Sequence, residues 1–180
     1  MFQSLGLPNT FRLVIALSLA SALAVAAWSL ARPSAVDADH PNVPHGTTLA
    51  RGVFVEATDV KIKSTLGGVD RIMSVKGSAD VLVQNVTIEA GAQTGWHSHH
   101  GPVVVVVAAG TMTLYQADDP DCIGETYTVG DAFVDPGQGN VHNARNEGGD
   151  QVQLLATYFD VPTGSGPGIA GTNPGTCTGF

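Results

Sequence analysis

Two hydrophobic rhythms divide the chain. From Leu13 to Ala31 apolar and small residues follow one another with no charge and no polar face. Such a run is longer than the 7–15 apolar residues of a usual signal core and close to the ~20 that span a bilayer. It predicts a hydrophobic helix, either an export signal that is cleaved or an anchor that is retained. After residue 50 the rhythm changes to short runs that alternate apolar with polar, the period of a strand with one face inward. These runs are "GVFVEA" (52–57), "KIKST" (61–65), "RIMSVKG" (71–77), "DVLVQNVTIEAG" (80–91), "VVVVV" (103–107), "TMTLYQA" (111–117), "ETYTVGDAFV" (125–134), "NVHNARN" (140–146) and "QVQLLATYF" (151–159). Gly, Pro, Asn or Asp punctuates nearly every gap, as turns require. Short, evenly spaced strands predict an all-β sandwich or barrel. The valine run breaks the alternation: it reads as a strand covered on both faces, by the barrel interior and by a second sheet or subunit.

The same pattern sets the boundaries. Residues 1–31 read as signal peptide or membrane anchor. Residues 32–50, with three prolines and without periodicity, read as a linker. Residues 51–161 read as the β domain, and 162–180 as an irregular, Gly-rich tail. Arg12 precedes the hydrophobic run while Asp37 and Asp39 follow it, a bias that places residues 32–180 outside the cytoplasm. The expected location is secreted, periplasmic or cell-envelope, with membrane contact only through residues 13–31 if they are kept.

Composition adds limits. The 180 residues suit one domain. The 22 glycines and 10 prolines favour turns over helices. With 8 basic against 16 acidic residues and a net charge of −8, and no basic patch interleaved with aromatics, nucleic acid is not an expected partner. Cys122 and Cys177 both fall in the exported part. An even count in an oxidising compartment suggests a disulfide stapling the tail to a loop, with two separate thiols as the alternative.

The chemistry concentrates in "GWHSHHGPVVVVVAAG", residues 95–110. Residues i and i+2 of a strand share a face, so the imidazoles of His97 and His99 point the same way, with Cα atoms about 6.6 Å apart. Trp96, Ser98 and His100 are out of phase, and His100 is expected at the surface or behind the ligands. A third histidine, His142, follows the turn Pro136-Gly137-Gln138-Gly139. His40 and His45 fall in the linker and read as solvated.

These residues carry a resemblance. The chain resembles the cupins, small antiparallel jelly-roll barrels whose first motif is written G-x5-H-x-H-x3/4-E-x6-G. Gly91, His97, His99 and Gly110 stand in register, with Val103 in the glutamate slot. The second motif, G-x5-P-x-G-x2-H-x3-N, is met by Gly130, Pro136, His142 and Asn146, with its middle glycine, Gly139, one residue late. The resemblance covers about residues 75–160. It implies a single cupin jelly-roll barrel behind the N-terminal export or anchor helix. It also implies one divalent transition metal (Fe, Mn, Ni or Zn) held by His97, His99 and His142. The alternative is a vestigial cupin whose histidines merely hydrogen-bond inside the barrel.

Val103 falls on the face of His97 and His99, where it cannot coordinate. Three neutral imidazoles leave a divalent ion its full charge, which favours a bound hydroxide or an anionic small-molecule ligand. They also leave coordination positions open, as catalysis needs. Gln93 and Gln138 are the candidate sources of a fourth oxygen. Asp118, Asp119 and Asp121 lack the spacing and glycine of a calcium loop and read as a solvated turn. Ser98 faces away from the histidines and is not an expected nucleophile. Tyr115 and Tyr127 read as ordinary strand residues, and Trp96 as rim or core packing. No clear general base is visible, so catalytic residues stay unassigned. Two readings follow: a metal-dependent enzyme acting on a small molecule, with an oxygenase as its candidate type, and a non-catalytic module that binds a small ligand without essential metal. Val104 and Val106, on the outward face of the valine strand, are candidates for a sheet contact or a homodimer contact.

Overall fold

The computed structural model describes residues 44–179 except 57, 67, 77 and 78. The hydrophobic run 13–31 and His40 lie outside the described residues. All regular elements among those described are strands: β1 His45–Val53, β2 Asp59–Leu66, β3 Val69–Lys76, β4 Asp80–Ile88, β5 His97–His99, β6 Val103–Ala109, β7 Thr111–Gln116, β8 Glu125–Thr128, β9 Ala132–Asp135, β10 His142–Arg145, β11 Val152–Val161 and β12 Gly168–Ala170. The all-β reading therefore holds.

Two five-stranded sheets are formed, in the orders β1-β4-β11-β6-β9 and β12-β5-β10-β7-β8. From β4 to β7 successive strands alternate between the sheets, and β9, β10 and β11 alternate again. All the pairings are antiparallel, the wiring of a jelly roll. The core lies between the sheets. Leu82 and Ile88 of β4, Val103, Val105 and Val107 of β6 and Val152, Leu154 and Ala156 of β11 face Met112 and Leu114 of β7 and Ala144 of β10. The hairpin β2–β3 forms a sheet of its own, paired through Val60↔Val75 and Ile62↔Met73.

Four expectations change. The strand β1 begins at His45, inside the stretch read as linker. It hides from pattern analysis because it is an edge strand, exposed along nearly its whole length and full of Gly and Thr. The run 125–134 is two strands, β8 and β9, because the Asp131 carboxylate accepts from the Thr128 N–H at 2.7 Å and closes a turn between them. The tail is not wholly irregular: β12 pairs with β5 through Gly168↔His99 and Ala170↔His97. Cys122 and Cys177 lie at disulfide distance, with Cα atoms 5.3 Å apart, and tie this tail to the barrel. Arg51 adds a second tie, donating to the Ser165 carbonyl and pairing with buried Asp80 at 3.2 Å. Finally, within this chain no second sheet covers the outer face of the valine strand among the described residues. Val103, Val105 and Val107 are buried, Val104 is half-buried, and Val106 is 37% exposed.

Candidate metal centre

The site is assembled by register. His142 of β10 lies directly opposite His97 of β5. His99, two residues on, shares the face of His97, as the period of a strand demands. The three rings therefore meet, with centroids 4.9 Å apart for His97 and His99, 4.4 Å for His97 and His142, and 5.2 Å for His99 and His142. One potential ligand atom from each lies within 4.8 Å of the others, a spacing that a single ion can draw in.

What orients the rings is the backbone. His97 Nδ1 lies 2.9 Å from the Gly95 carbonyl, His99 Nδ1 3.1 Å from the Pro167 carbonyl, and His142 Nδ1 3.2 Å from the Asn140 carbonyl. A carbonyl only accepts, so each Nδ1 carries the proton and each Nε2 is left with a free lone pair. Hydrogen bonding of one imidazole nitrogen to fix the other as ligand is the usual support of a metal-binding histidine. For His99 the support comes from the tail, since Pro167 immediately precedes β12.

Burial keeps the rings neutral. It lowers the pKa of His97. It lowers His99 to about 4, with the charge of His142 acting in the same direction. It lowers His142 to about 3, with His97 adding to the effect. Neutral imidazole is the form that coordinates.

The structure also brings in a residue that the motifs do not point to. Asp135, at the end of β9, sits against the cluster with its side chain 3% exposed; its Oδ2 is 3.2 Å from His142 Nδ1 and 3.6 Å from His99 Nε2. Burial raises its pKa, and the nearby histidines, the Gly137 N–H and Asn140 offset this only in part. Tyr158 of β11 is the second such residue. Its ring lies 5.1 Å from that of His99, and burial, reinforced by Asp135, pushes its phenol up to about 12. It therefore stays a neutral donor. Its signal in the sequence was its phase, since it shares an inward face with Leu154 and Ala156.

The histidines, Asp135, Tyr158 and Thr94 make the polar end of a cavity of about 50 Å³, whose walls are apolar side chains including Val103, Val105, Phe133 and Leu154. Val103 thus does face the site. The other candidates do not. His100 is half-buried and is not in the cluster. Gln93 is engaged elsewhere, accepting from Asn143 Nδ2 at 2.6 Å, and Gln138 is exposed on its turn. Neither lines the cavity, so neither is placed to give the fourth oxygen. Ser98 is buried away from the cavity wall. Asp118 pairs with Arg71 at 2.9 Å, and Asp119 accepts from the backbone of Asp121 and Ile123, so the acidic loop is a capped turn. Tyr115 donates to Glu147, and Tyr127 packs on Phe133 with ring centroids 4.5 Å apart.

Two residues outside the ligand set hold the frame. Asn146 donates to the carbonyls of Ile88 and Asp150 at 2.9 and 2.8 Å, fixing the exit of β10. Gly137, at φ 62°, approaches Gly101 so closely that a Cβ would lie 1.9 Å from its carbonyl oxygen. The turn after β9 is thereby locked onto the segment after β5, and the Gln138 N–H donates to the His99 carbonyl at 2.8 Å.

The family model described as "Cupin domain" matches residues 84–158. Among solved structures, the chain is similar to an uncharacterized conserved protein with a double-stranded beta-helix domain from Klebsiella pneumoniae. The identity is 17% over 78% of this chain and 90% of that one, with a TM-score of 0.44. It is similar to a cupin domain from Bordetella pertussis at 20% identity over 59% of this chain and 97% of the other, with a TM-score of 0.39. It is also similar to a mutant salicylate 1,2-dioxygenase from Pseudoaminobacter salicylatoxidans in complex with gentisate. There the identity is 20% over 44% of this chain and 20% of that chain, with a TM-score of 0.38. None of the curated proteins matches the chain.

Proposed function

We propose, from the match of residues 84–158 to the cupin-domain family model and from the geometry of the three histidines, that His97, His99 and His142 bind one divalent transition metal and present it to a small molecule. The observation that carries the reading is the shared orientation of the three imidazoles. Each Nδ1 lies against a backbone carbonyl, which leaves Nε2 as the nitrogen free to coordinate. Histidines that merely filled a barrel would have no reason to be held in one tautomer facing one point. The donor set is mostly imidazole, which suits Fe, Ni, Cu and Zn alike. When bound, the ion would supply Lewis acidity and a template for the ligand.

The protein's own part is to exclude water and select by size. A cavity of about 50 Å³ has room for an ion with very few further atoms, far below the ~300–1,000 Å³ of sites for drug-sized ligands. We therefore assign a ligand of few atoms, or one that enters by only one end. The case for an anionic ligand rested on a site with no carboxylate, and Asp135 removes that premise. Tyr158 supplies a neutral hydrogen-bond donor at the same wall. The enzymatic form of this reading is an oxygenase-type reaction. We place the domain outside the cytoplasm, on the charge bias around residues 13–31 and on the cysteine pair, which suits an oxidising compartment.

Metal analysis tests the reading. After loading with Fe, Mn, Ni or Zn, the protein is expected to hold about one equivalent of at least one metal, and His97→Ala or His142→Ala to lose it while staying folded. Uptake below about a tenth of an equivalent with every metal would end the proposal in favour of a metal-free binding module. Oxygen consumption by the Fe-loaded protein over small acids, phenols and thiols then separates enzyme from binding protein.

A further inference from the structure

We infer that Asp135 carries the charged ligand of this site, so that the carboxylate missing at Val103 is supplied from the neighbouring strand. The inference rests on the three-histidine reading and deepens it.

Register makes the exchange possible. Val103 of β6 and Asp135 of β9 are paired directly opposite each other. Directly opposed residues share a face with Cβ atoms about 4.5–5.5 Å apart. A carboxylate on either strand therefore reaches the same end of the cavity, and both side chains line it.

The two oxygens of Asp135 are used differently. Oδ1 accepts from the Gly137 N–H at 2.9 Å and from Asn140 Nδ2 at 3.4 Å. Oδ2 is buried and has no hydrogen-bond donor. It is 3.2 Å from His142 Nδ1, but that N–H is directed at the Asn140 carbonyl. Its other neighbour is His99 Nε2, at 3.6 Å, which is the lone-pair nitrogen. With metal–ligand bonds of ~2.0–2.2 Å, two ligand atoms on one tetrahedral ion sit roughly 3.3–3.6 Å apart. Oδ2 and His99 Nε2 already stand at the upper end of that spacing.

The turn after β9 explains the arrangement. It holds one residue more than the motif, and Gly137, Gln138 and Gly139 all adopt positive φ, at 62°, 51° and 88°. This coil brings the Gly137 N–H back onto Oδ1 and turns Oδ2 toward the histidines. A buried carboxylate oxygen with no donor is costly. A divalent cation in the cluster is the partner that removes that cost.

The test compares wild type, Asp135→Asn and His97→Ala by zinc competition with a chromophoric chelator, by the visible spectrum of bound Co²⁺, and by thermal melting of the metal-free proteins. Asparagine keeps the shape and a carbonyl oxygen for the Gly137 N–H while losing the charge. Asp135→Asn is expected to weaken zinc by at least about tenfold, to shift the cobalt bands, and to melt at or above the wild-type temperature without metal. Affinity within threefold of wild type with unchanged cobalt bands, while His97→Ala loses the metal, would overturn this inference and leave the three-histidine reading standing. Metal-free Asp135→Asn that fails to fold would also overturn it, since Asp135 would then serve the fold. Wild type that takes up neither zinc nor cobalt would overturn both.

Discussion

The two sheets of the barrel differ in what they bury. In the first, β4, β6 and β11 run for 9, 7 and 10 residues. Their inward positions are almost all aliphatic, from Leu82 and Ile88 to Val103, Val107 and Val152. In the second, β5, β10 and β12 have only 3, 4 and 3 residues. There the buried side chains include Ser98, His99, His142 and Asn143. The first sheet removes apolar area from water, which is favourable wherever it occurs and needs no special partner. The second takes polar groups out of water, which is tolerable only where each finds a partner. Its partners are specific: the carbonyls of Gly95, Asn140 and Pro167 for the histidines, and Gln93 for Asn143. The apolar burial is thus concentrated in the first wall and the three histidines in the second, with Asp135 of β9 and Tyr158 of β11 reaching the site from the first; substitutions away from those two residues should separate the walls.

The largest effect is expected in the aliphatic wall. Ile88 is fully buried and does not line the histidine cavity. Ile88→Ala should cost about 2–5 kcal/mol, through lost burial and the void left behind. Urea denaturation measures the loss, and zinc affinity of the folded fraction should stay within about twofold. A loss below about 1 kcal/mol, or a large change in affinity, would mean that the two walls are not separate in this way.

Acid should act on the other wall. In the metal-free protein His99 and His142 titrate near 4 and 3, while in the unfolded chain a histidine titrates near 6.5. Below pH 6.5 the unfolded chain takes up protons that the native state refuses. Stability therefore falls as pH drops from 6.5 toward 4, by about 1.4 kcal/mol per pH unit for each of these two histidines. The lowered pKa of His97 acts in the same direction. Asp135 acts the other way, because its raised pKa means that the native state takes up a proton before the unfolded chain does, down to about 3.8. Denaturation midpoints at pH 7.0 and 5.5 should show the loss, and His142→Gln should make it smaller. A midpoint unchanged across that interval would contradict neutral, buried histidines.

What the sequence disclosed follows the same division. Alternation and turn residues are local signals, so β4, β6 and β11 of the first sheet were legible from the runs around Leu82, Val105 and Leu154, whereas its edge strands β1 and β9 were not. The facing of His97 and His99 was legible too, since an i, i+2 pair needs only the period of a strand. Asp135 was not. Its relation to Val103 exists only once β6 and β9 pair, and in the chain it reads as an ordinary aspartate ahead of a Pro-Gly turn. The strand β12 was hidden for a related reason: "GIA" has no pattern of its own and is ordered by pairing with β5. The residues hardest to read are thus those whose role depends on a partner distant in the chain.

The smallest effect is expected one residue past the pair that matters. His100 adjoins His99, yet it is out of phase and lies outside the cluster. His100→Ala should leave zinc affinity within about twofold and change stability by less than about 1 kcal/mol, as for substitutions away from cores and networks. His99→Ala, one position earlier, removes a ligand together with the hydrogen bond to Pro167 that joins the site to the tail. Measured side by side by zinc competition and urea denaturation, the two variants ask whether strand phase, rather than the local density of histidines, decides what this segment does. Equal losses of affinity would mean that the segment bends enough to bring His100 inward, and that the division between the walls is softer than the register implies.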